Sequence, residues 1–87
     1  DTMVGQVRQA LQNVVDVLAV AGARPEHIVR MTWYVTSKRE YLEANREIGA
    51  VFRELIGSFN AAMSAVEVSA LMEDQAKVEI EVTAVVP

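Results

Sequence analysis

The chain has 87 residues, with 8 lysines and arginines against 12 aspartates and glutamates, so its formal net charge is −4. An acidic chain whose basic residues are dispersed repels a phosphate backbone, which argues against nucleic acid as a partner. The absence of cysteine excludes disulfides and thiolate chemistry, and a single histidine makes a transition-metal site unfavourable. No apolar run reaches the length of a membrane helix and no signal segment opens the chain, so we expect a cytoplasmic protein that does not bind membranes.

The hydrophobic fraction of 52% is high for so short a chain. We expect residues 1–87 to form one domain. A domain of this size has too little interior to bury all of its apolar surface, so part of that surface is expected at a subunit interface.

The first element is predicted to be a helix over about residues 3–21, because apolar residues recur there at helical spacing. Asp1 or Thr2 is a suitable N-cap, and Gly22 is a suitable C-terminal stop. His27 lies in the connector that follows and is expected to be a solvated turn residue.

Residues 28–36 are rich in β-branched and aromatic side chains and predict a strand. Alternation places its residues on two faces, which are Val29, Met31, Trp33 and Val35 on one and Arg30, Thr32 and Tyr34 on the other. We expect Trp33 in the core and Tyr34 at an interface or pocket rim.

A second helix is predicted over about residues 38–56. Ser37-Lys-Arg-Glu40 matches a capping box, in which the serine and the glutamate each satisfy a backbone N–H at the helix start. The helix carries an apolar stripe that ends before Gly57 and consists of Tyr41, Ile48, Val51, Phe52 and Leu55.

The tail predicts two more strands, over residues 63–71 and 77–86, separated by a polar turn at 73–75. We expect these two strands to form an antiparallel hairpin. The first strand and the second are connected through a helix, so they are predicted to be parallel, with both helices on one face of the sheet.

The sheet face away from the helices is predicted to mix polar and apolar groups, which suits a protein interface with polar pockets. Its expected members are Arg30, Thr32, Tyr34, Ala65, Glu67, Glu79, Glu81 and Val85. Glu79 and Glu81 share this face because they lie two residues apart. If Glu67 lies close to them, mutual repulsion and partial burial would raise the pKa of one carboxyl group, as a general acid requires. The alternative is a solvated or ion-paired strand face, with Arg30 as a partner.

Several segments in order resemble one protein family, and no single motif among them is strongly specific. They are Gln9-Ala-Leu-Gln-Asn13, Val17-Leu18, Ala21-Gly-Ala23, Ile28-Val-Arg-Met-Thr-Trp-Tyr-Val35, Asn45, Ser64-Ala-Val-Glu-Val68 and Val78-Glu-Ile-Glu-Val-Thr-Ala-Val-Val86. With these segments the chain resembles the YjgF/RidA family, whose archetypal members hydrolyse reactive enamines and imines to keto acids and ammonia without a metal or cofactor.

The resemblance implies an α+β, chorismate-mutase-like fold, with two helices packed on one face of a mixed sheet and the element order α-β-α-β-β. It also implies a homotrimer with the helices outside and small-molecule clefts between subunits. Family members carry an N-terminal strand pair before the first helix, so the resemblance leads us to expect that residues 1–87 are the domain without this pair and that further residues precede Asp1 in the parent protein.

The resemblance also assigns candidate site residues. Glu79 matches the family glutamate that is thought to position the hydrolytic water. Met63 stands where archetypal members have an arginine that holds the substrate carboxylate, and methionine can form no such pair. Ser64 is a candidate hydrogen-bond donor to the ligand, and Tyr34 and Arg30 complete the substrate-binding set. The competing interpretation of Met63 is that it fills a gap in a core or interface.

Two functional hypotheses follow for such a branch of the family. The first is hydrolytic deamination of an imine or enamine that is uncharged or is held by another group. The second is a non-catalytic trimer that binds a small molecule or regulates a partner, because the clearest substrate-holding group is absent. Ribonuclease activity fits poorly with the acidic charge. Chorismate mutase activity would need cations for two carboxylates, and Arg30 is the only obvious candidate.

Overall fold

The computed structural model describes residues 2–58 and 61–86 of the chain. In these residues the elements follow the predicted order, with the second helix divided in two. They are α1 (Met3–Val20), a 3₁₀ turn (Pro25–His27), β1 (Ile28–Val35), α2 (Lys38–Glu43), α3 (Asn45–Leu55), β2 (Ala62–Glu67) and β3 (Val78–Ala84). Both tail strands are shorter than the sequence pattern predicts.

Helix α1 begins and ends as its sequence predicts. The Thr2 hydroxyl oxygen accepts a hydrogen bond from the Gly5 N–H at 2.9 Å, so Thr2 is the N-cap. The alternative N-cap, Asp1, lies outside the described residues. At the other end Gly22 has a φ of 77°, and the Ala23 N–H donates to the Leu18 carbonyl at 2.8 Å. Together with the bond from the Gly22 N–H to the Ala19 carbonyl, this is a Schellman ending, which favours glycine for its positive φ.

The predicted second helix is interrupted at Ala44. This residue ends α2 and begins α3 with φ −94° and ψ 6°, outside the helical region. Asn45 takes the first position of α3, where a short polar side chain is better tolerated than in a helix interior. The apolar stripe survives the interruption, because its five members are all buried or half-buried.

The three strands form one sheet in the order β2-β1-β3. The parallel pairing of β1 with β2 is confirmed. The predicted hairpin is wrong, because β3 pairs antiparallel with the other edge of β1 rather than with β2. Strand β1 carries the fully buried Met31 and Trp33. With β1 in the centre, both edges of this apolar strand are paired with other strands. The alternation of residues in the tail does not show which strand takes the centre.

The strand register corrects three face assignments. Trp33 is paired with Ala65 and Val35 with Glu67, so Ala65 and Glu67 lie on the helix side rather than on the open face. Val29 is also misassigned. A register shift between Ile28 and Arg30 leaves Ile28 buried and Val29 exposed, as a β-bulge does.

The core lies between the sheet and the helices. Its buried members include Met3, Val7 and Leu11 of α1, Met31, Trp33 and Val35 of β1, and Ile48 and Val51 of α3. Trp33 has no exposed surface, as predicted. It packs edge-on against Tyr41 with ring centroids 6.1 Å apart and tilted against Phe52 at 6.3 Å.

Candidate functional site

The open face of the sheet brings together four of the five predicted site residues. Glu79 lies directly across from Tyr34 in the β1–β3 pair, and Arg30 lies across from Thr83. On the other side of β1, Ser64 is paired with Thr32. Paired residues point to the same side of a sheet, so Arg30, Tyr34, Ser64 and Glu79 share this face. Glu79, Ser64 and Arg30 are exposed, and Tyr34 is half-exposed.

Tyr34 makes a hydrogen bond to another side chain of this face. Its hydroxyl donates a hydrogen bond to Oε1 of Glu81 at 3.3 Å. The negative charge of Glu81 is the main reason why the pKa of Tyr34 is raised above its ordinary value of 10.0, and desolvation, the hydrogen bond and the charge of Glu79 act in the same direction. Arg30 opposes the shift. The phenol is therefore held protonated at neutral pH, as a donor.

Arg30 is the cation of the open face. No ion pair within 4 Å joins it to Glu79 or Glu81 in the described structure. The alternative of a strand face neutralised by a salt bridge to Arg30 therefore does not describe this arrangement. An arginine without a carboxylate partner on an exposed sheet face remains available to an anionic group from elsewhere.

Glu67 does not join the carboxylates of the open face. Its Oε1 accepts a hydrogen bond from the backbone N–H of Lys38 at 2.6 Å. Lys38 is the first residue of α2, where backbone N–H groups lack helical partners. Glu67 thus caps a helix on the other side of the sheet, and the predicted cluster of three glutamates does not form.

Glu40, the other half of the predicted capping box, is also engaged elsewhere. The Ser37 hydroxyl oxygen accepts from the Glu40 N–H at 3.1 Å as predicted. The Glu40 carboxylate instead receives two hydrogen bonds from Nζ of Lys77, at 3.1 and 3.3 Å. This pair connects the start of α2 to the residue before β3, the strand that carries Glu79.

Met63, the fifth predicted site residue, lies on the helix side. It is paired with Met31 and borders an apolar cavity of about 330 Å³, called here the Trp33 cavity. Trp33, Tyr41, Ile48, Phe52 and Met63 form its apolar wall, and Asn45, Gly49 and Arg53 complete it. Within one chain the sheet therefore separates Met63 from Glu79.

The Trp33 cavity was not anticipated from the sequence, although two signals for it exist. Its walls are the second-helix apolar stripe and the buried face of β1, both of which the pattern identifies. The sequence pattern does not show that a gap remains between these two walls. Met63 is 43% exposed, so it does not close that gap as a core residue would, and the cavity stays open to a ligand.

Two further properties bear on the kind of site. Within residues 2–58 and 61–86, no group of three or more His, Cys, Asp or Glu side chains is arranged to hold a metal ion. None of the helices described is long and apolar enough to cross a membrane. His27 has a structural partner, since its Nδ1 accepts from the Arg24 N–H at 2.9 Å in the turn before β1.

The helices on one side of a β2-β1-β3 sheet, with polar side chains on the other, define an α+β domain of chorismate-mutase-like type. The sequence profile of the Endoribonuclease L-PSP family matches residues 1–86, and the chain belongs to this family, also known as YjgF/RidA. The resemblance noted from the sequence is confirmed.

Individual relatives agree with this assignment. The 2-iminobutanoate/2-iminopropanoate deaminase of Salmonella typhimurium is 38% identical over 80 residues, which cover 92% of this chain and 61% of the relative. The chain thus spans about three fifths of the length of this curated relative. Among solved structures, Rv2704 of Mycobacterium tuberculosis, a YjgF/YER057c/UK114 family member, has a TM-score of 0.80 and 36% identity, covering 97% of this chain and 68% of that one. The Escherichia coli YjgF protein has the same TM-score and identity, with 94% and 63% covered.

Proposed function

We propose that this chain contributes to a hydrolase that converts reactive imines or enamines to carbonyl compounds and ammonia. The observation that carries the proposal is the exposed group formed by Glu79 and Tyr34, which lie opposite each other in the β1–β3 pair and share their face with Arg30 and Ser64. The similarity to a 2-iminobutanoate/2-iminopropanoate deaminase supports it. The reaction would need no cofactor.

The proposed chemistry uses one water. Its oxygen adds to the carbon of the protonated imine while the Glu79 carboxylate accepts one proton from it, which gives a neutral carbinolamine. Glu79 then passes that proton to the nitrogen. As the carbon–nitrogen bond breaks and ammonia leaves, the hydroxyl proton of the carbinolamine returns to the Glu79 carboxylate and then to solvent, so that a carbonyl remains. Tyr34, as a protonated donor, Ser64 and Arg30 would bind polar groups of the substrate on the same face, and Met63 would shape the pocket from a second subunit.

A trimer is part of this proposal. Met63 and Glu79 are separated by their own sheet, so a site that uses both needs two copies of the chain. All six residues of edge strand β2 are exposed, among them the apolar Met63 and Val66. A strand edge of this kind favours association with another subunit. Light scattering should give a trimer mass, and Val66→Lys should shift it towards the monomer, while a monomer in the parent protein would contradict a site built from two copies.

The direct test is ammonia release from freshly generated imines that span charged and uncharged side chains. Glu79→Gln should lower turnover about 100-fold or more, the usual range for loss of a general base. Glu67→Gln is the matched control, because it removes the same charge from the same sheet on the helix side and keeps an acceptor for Lys38. Equal turnover in the parent and Glu79→Gln proteins would contradict the proposed role of Glu79.

A second function is favoured by Met63 itself. Since it stands where archetypal family members have an arginine, the second candidate is a non-catalytic small-molecule-binding or regulatory trimer. Met63→Arg separates the two. If the parent protein is inactive on every imine and Met63→Arg gains activity on carboxylated imines, the scaffold is intact and its natural task is binding. Turnover by the parent protein favours the hydrolase.

A further inference from the structure

Trp33, which lines the Trp33 cavity, carries an unpaired donor. Trp33 is fully buried, yet its indole Nε1 has no hydrogen-bond partner in the described structure. A buried N–H without an acceptor is unfavourable, and most such groups are paired in folded proteins. The donor belongs to a residue that lines the cavity, and because the nitrogen is itself buried, a bound molecule satisfies it only where binding also moves the side chains that cover the indole.

The same cavity contains a free cation. Arg53 lines it together with Gly49, and its Nη1 would lie 3.5 Å from a Cβ added at Gly49. The guanidinium therefore lies over the position where Gly49 lacks a side chain. No ion pair involves Arg53 in residues 2–58 and 61–86, whereas its neighbour Glu54 binds Arg8. An unpaired guanidinium beside an apolar cavity suits a carboxylate, which it can bind with two parallel hydrogen bonds.

Size and polarity restrict the ligand further. A volume of about 330 Å³ lies at the lower end of the range for small-molecule sites, about 300–1,000 Å³. The wall between the two polar groups is formed by Tyr41, Ile48, Phe52 and Met63, which favour an aliphatic or aromatic body.

We propose that the Trp33 cavity binds a small monocarboxylate with an apolar body. Arg53 pairs with the carboxylate, the apolar body contacts Met63 and the aromatic wall, and Trp33 Nε1 donates to an acceptor atom of the ligand. The inference rests on the proposed function, since the carboxylate would be that of an imine substrate held between the Trp33 cavity of one subunit and Glu79 of another. Arg53 then supplies the charge that Met63 does not, from a different position of the fold.

Binding can be measured without turnover, because Trp33 is the only tryptophan. The probes are phenylacetate and its neutral analogue phenylacetamide. Phenylacetate should change Trp33 fluorescence in a saturable way and shift the single indole N–H resonance in a ¹⁵N-edited spectrum. Its affinity should also fall as salt is added, since an exposed arginine is screened.

Two arginine variants locate the charge. Arg53→Gln should weaken phenylacetate binding about tenfold or more, as expected for loss of a hydrogen bond to a charged group, and leave phenylacetamide binding within about twofold. Arg46→Gln makes the same change two turns earlier on α3, about 10 Å along the helix axis, and should leave phenylacetate binding within about twofold.

Four results are decisive. An indole resonance that does not respond to phenylacetate at millimolar concentration would overturn the inference, and so would equal effects of Arg53→Gln and Arg46→Gln. If imines are hydrolysed with dependence on Glu79 while phenylacetate leaves Trp33 unaffected, the inference fails and the proposed function stands. If phenylacetate binds with dependence on Arg53 and no imine is hydrolysed, the binding site stands and the hydrolase fails.

Discussion

Tyr34 and Glu81 are joined across the β1–β3 pair by a hydrogen bond from the phenol to the carboxylate, with 3.3 Å between the oxygens. They are not direct cross-strand partners, since Tyr34 is opposite Glu79 and Glu81 is opposite Thr32. The phenol thus reaches diagonally away from Glu79. This leaves the Glu79 carboxylate without that donor, which suits a group proposed to hold water.

The hydrogen bond predicts a displaced tyrosine titration. The pKa of Tyr34 should lie above 10.0, mainly because of the charge of Glu81, and Glu81→Gln should bring it down towards that value. Tyr41, the other tyrosine, also has a raised pKa, but burial is the cause, so Glu81→Gln should leave it unchanged. Tyrosinate absorbance, with Tyr34→Phe to assign the two steps, measures both. An unchanged Tyr34 midpoint in Glu81→Gln would contradict the assignment.

The same shift links stability to alkaline pH. The pKa of Tyr34 is higher in the folded chain than in the unfolded one, so its contribution to stability is complete below pH 10 and is lost as the pH rises through the folded-state pKa. Denaturant unfolding of the parent and Tyr34→Phe proteins between pH 8 and about 11 should show a shallower alkaline decline in the variant. Parallel declines would show that Tyr34 does not contribute.

A second pair makes the corresponding prediction in acid. Arg8 of α1 binds Glu54 of α3 with two hydrogen bonds, at 2.9 and 3.1 Å. The hydrogen bond and charge of Arg8 lower the pKa of Glu54 below 4.5, so the stabilising contribution is present above that pH and is lost as the pH falls through the lowered value. Glu54→Gln should remove this part of the acid dependence. Glu47→Gln, which removes a charge elsewhere on the same helix, is the control and should leave it in place.

Substitution by alanine should have opposite effects on stability at two glycines, one inside α3 and one just after it. Gly49 lies inside α3, where an added Cβ meets only Arg53 Nη1 at 3.5 Å, an ordinary contact. Gly49→Ala should therefore raise the free energy of unfolding by about 0.5–1 kcal/mol. Gly57 has a φ of 85° with nothing near its missing Cβ, so Gly57→Ala should lower it by about 1–2 kcal/mol for backbone reasons alone. Thermal and denaturant unfolding measure both, and changes of the same sign would contradict the geometry.

The capping role of Glu67 can be tested by separating its charge from its oxygen. Glu67→Ala removes the acceptor for the Lys38 N–H and should cost about 0.5–1 kcal/mol, as for other helix caps. Glu67→Gln keeps an acceptor and should cost less than half of that. If the two variants are equally destabilised, only the charge of Glu67 contributes to stability. If neither variant is destabilised, the contact with Lys38 does not contribute to stability.

Much of the fold follows from local pattern. The helix starts at Thr2 and Ser37 and the stops at Gly22 and Gly57 lie where the capping residues predict, because capping depends on the chemistry of one or two side chains. The errors are in longer-range properties. The interruption at Ala44 leaves the apolar stripe intact, so periodicity does not signal it. The bulge near Val29 leaves this residue exposed instead of buried, and regular alternation cannot predict a bulge.

The candidate site was partly predictable for the same reason. Glu79 and Glu81 had to share a face, because side chains alternate along a strand. Whether Glu67 lies on the same face depends on the register of β2 against β1, because a shift of one residue moves every side chain of a strand to the opposite face. Ser64 and Met63 are adjacent in sequence, and the resemblance assigns both to the substrate-binding set, but they lie on opposite sides of the sheet.

Periodicity was sufficient for the element types, composition for the acidic character, and the matching segments for the family resemblance, since none of these depends on how distant segments pack. Strand order, register and the Trp33 cavity depend on how distant segments pack. β1 takes the centre because its apolar residues are buried when both edges are paired, and the hydrophobic effect that places it there is not directional. That packing assigns Glu79 to the open face and Met63, Arg53 and the unpaired Trp33 N–H to the helix side.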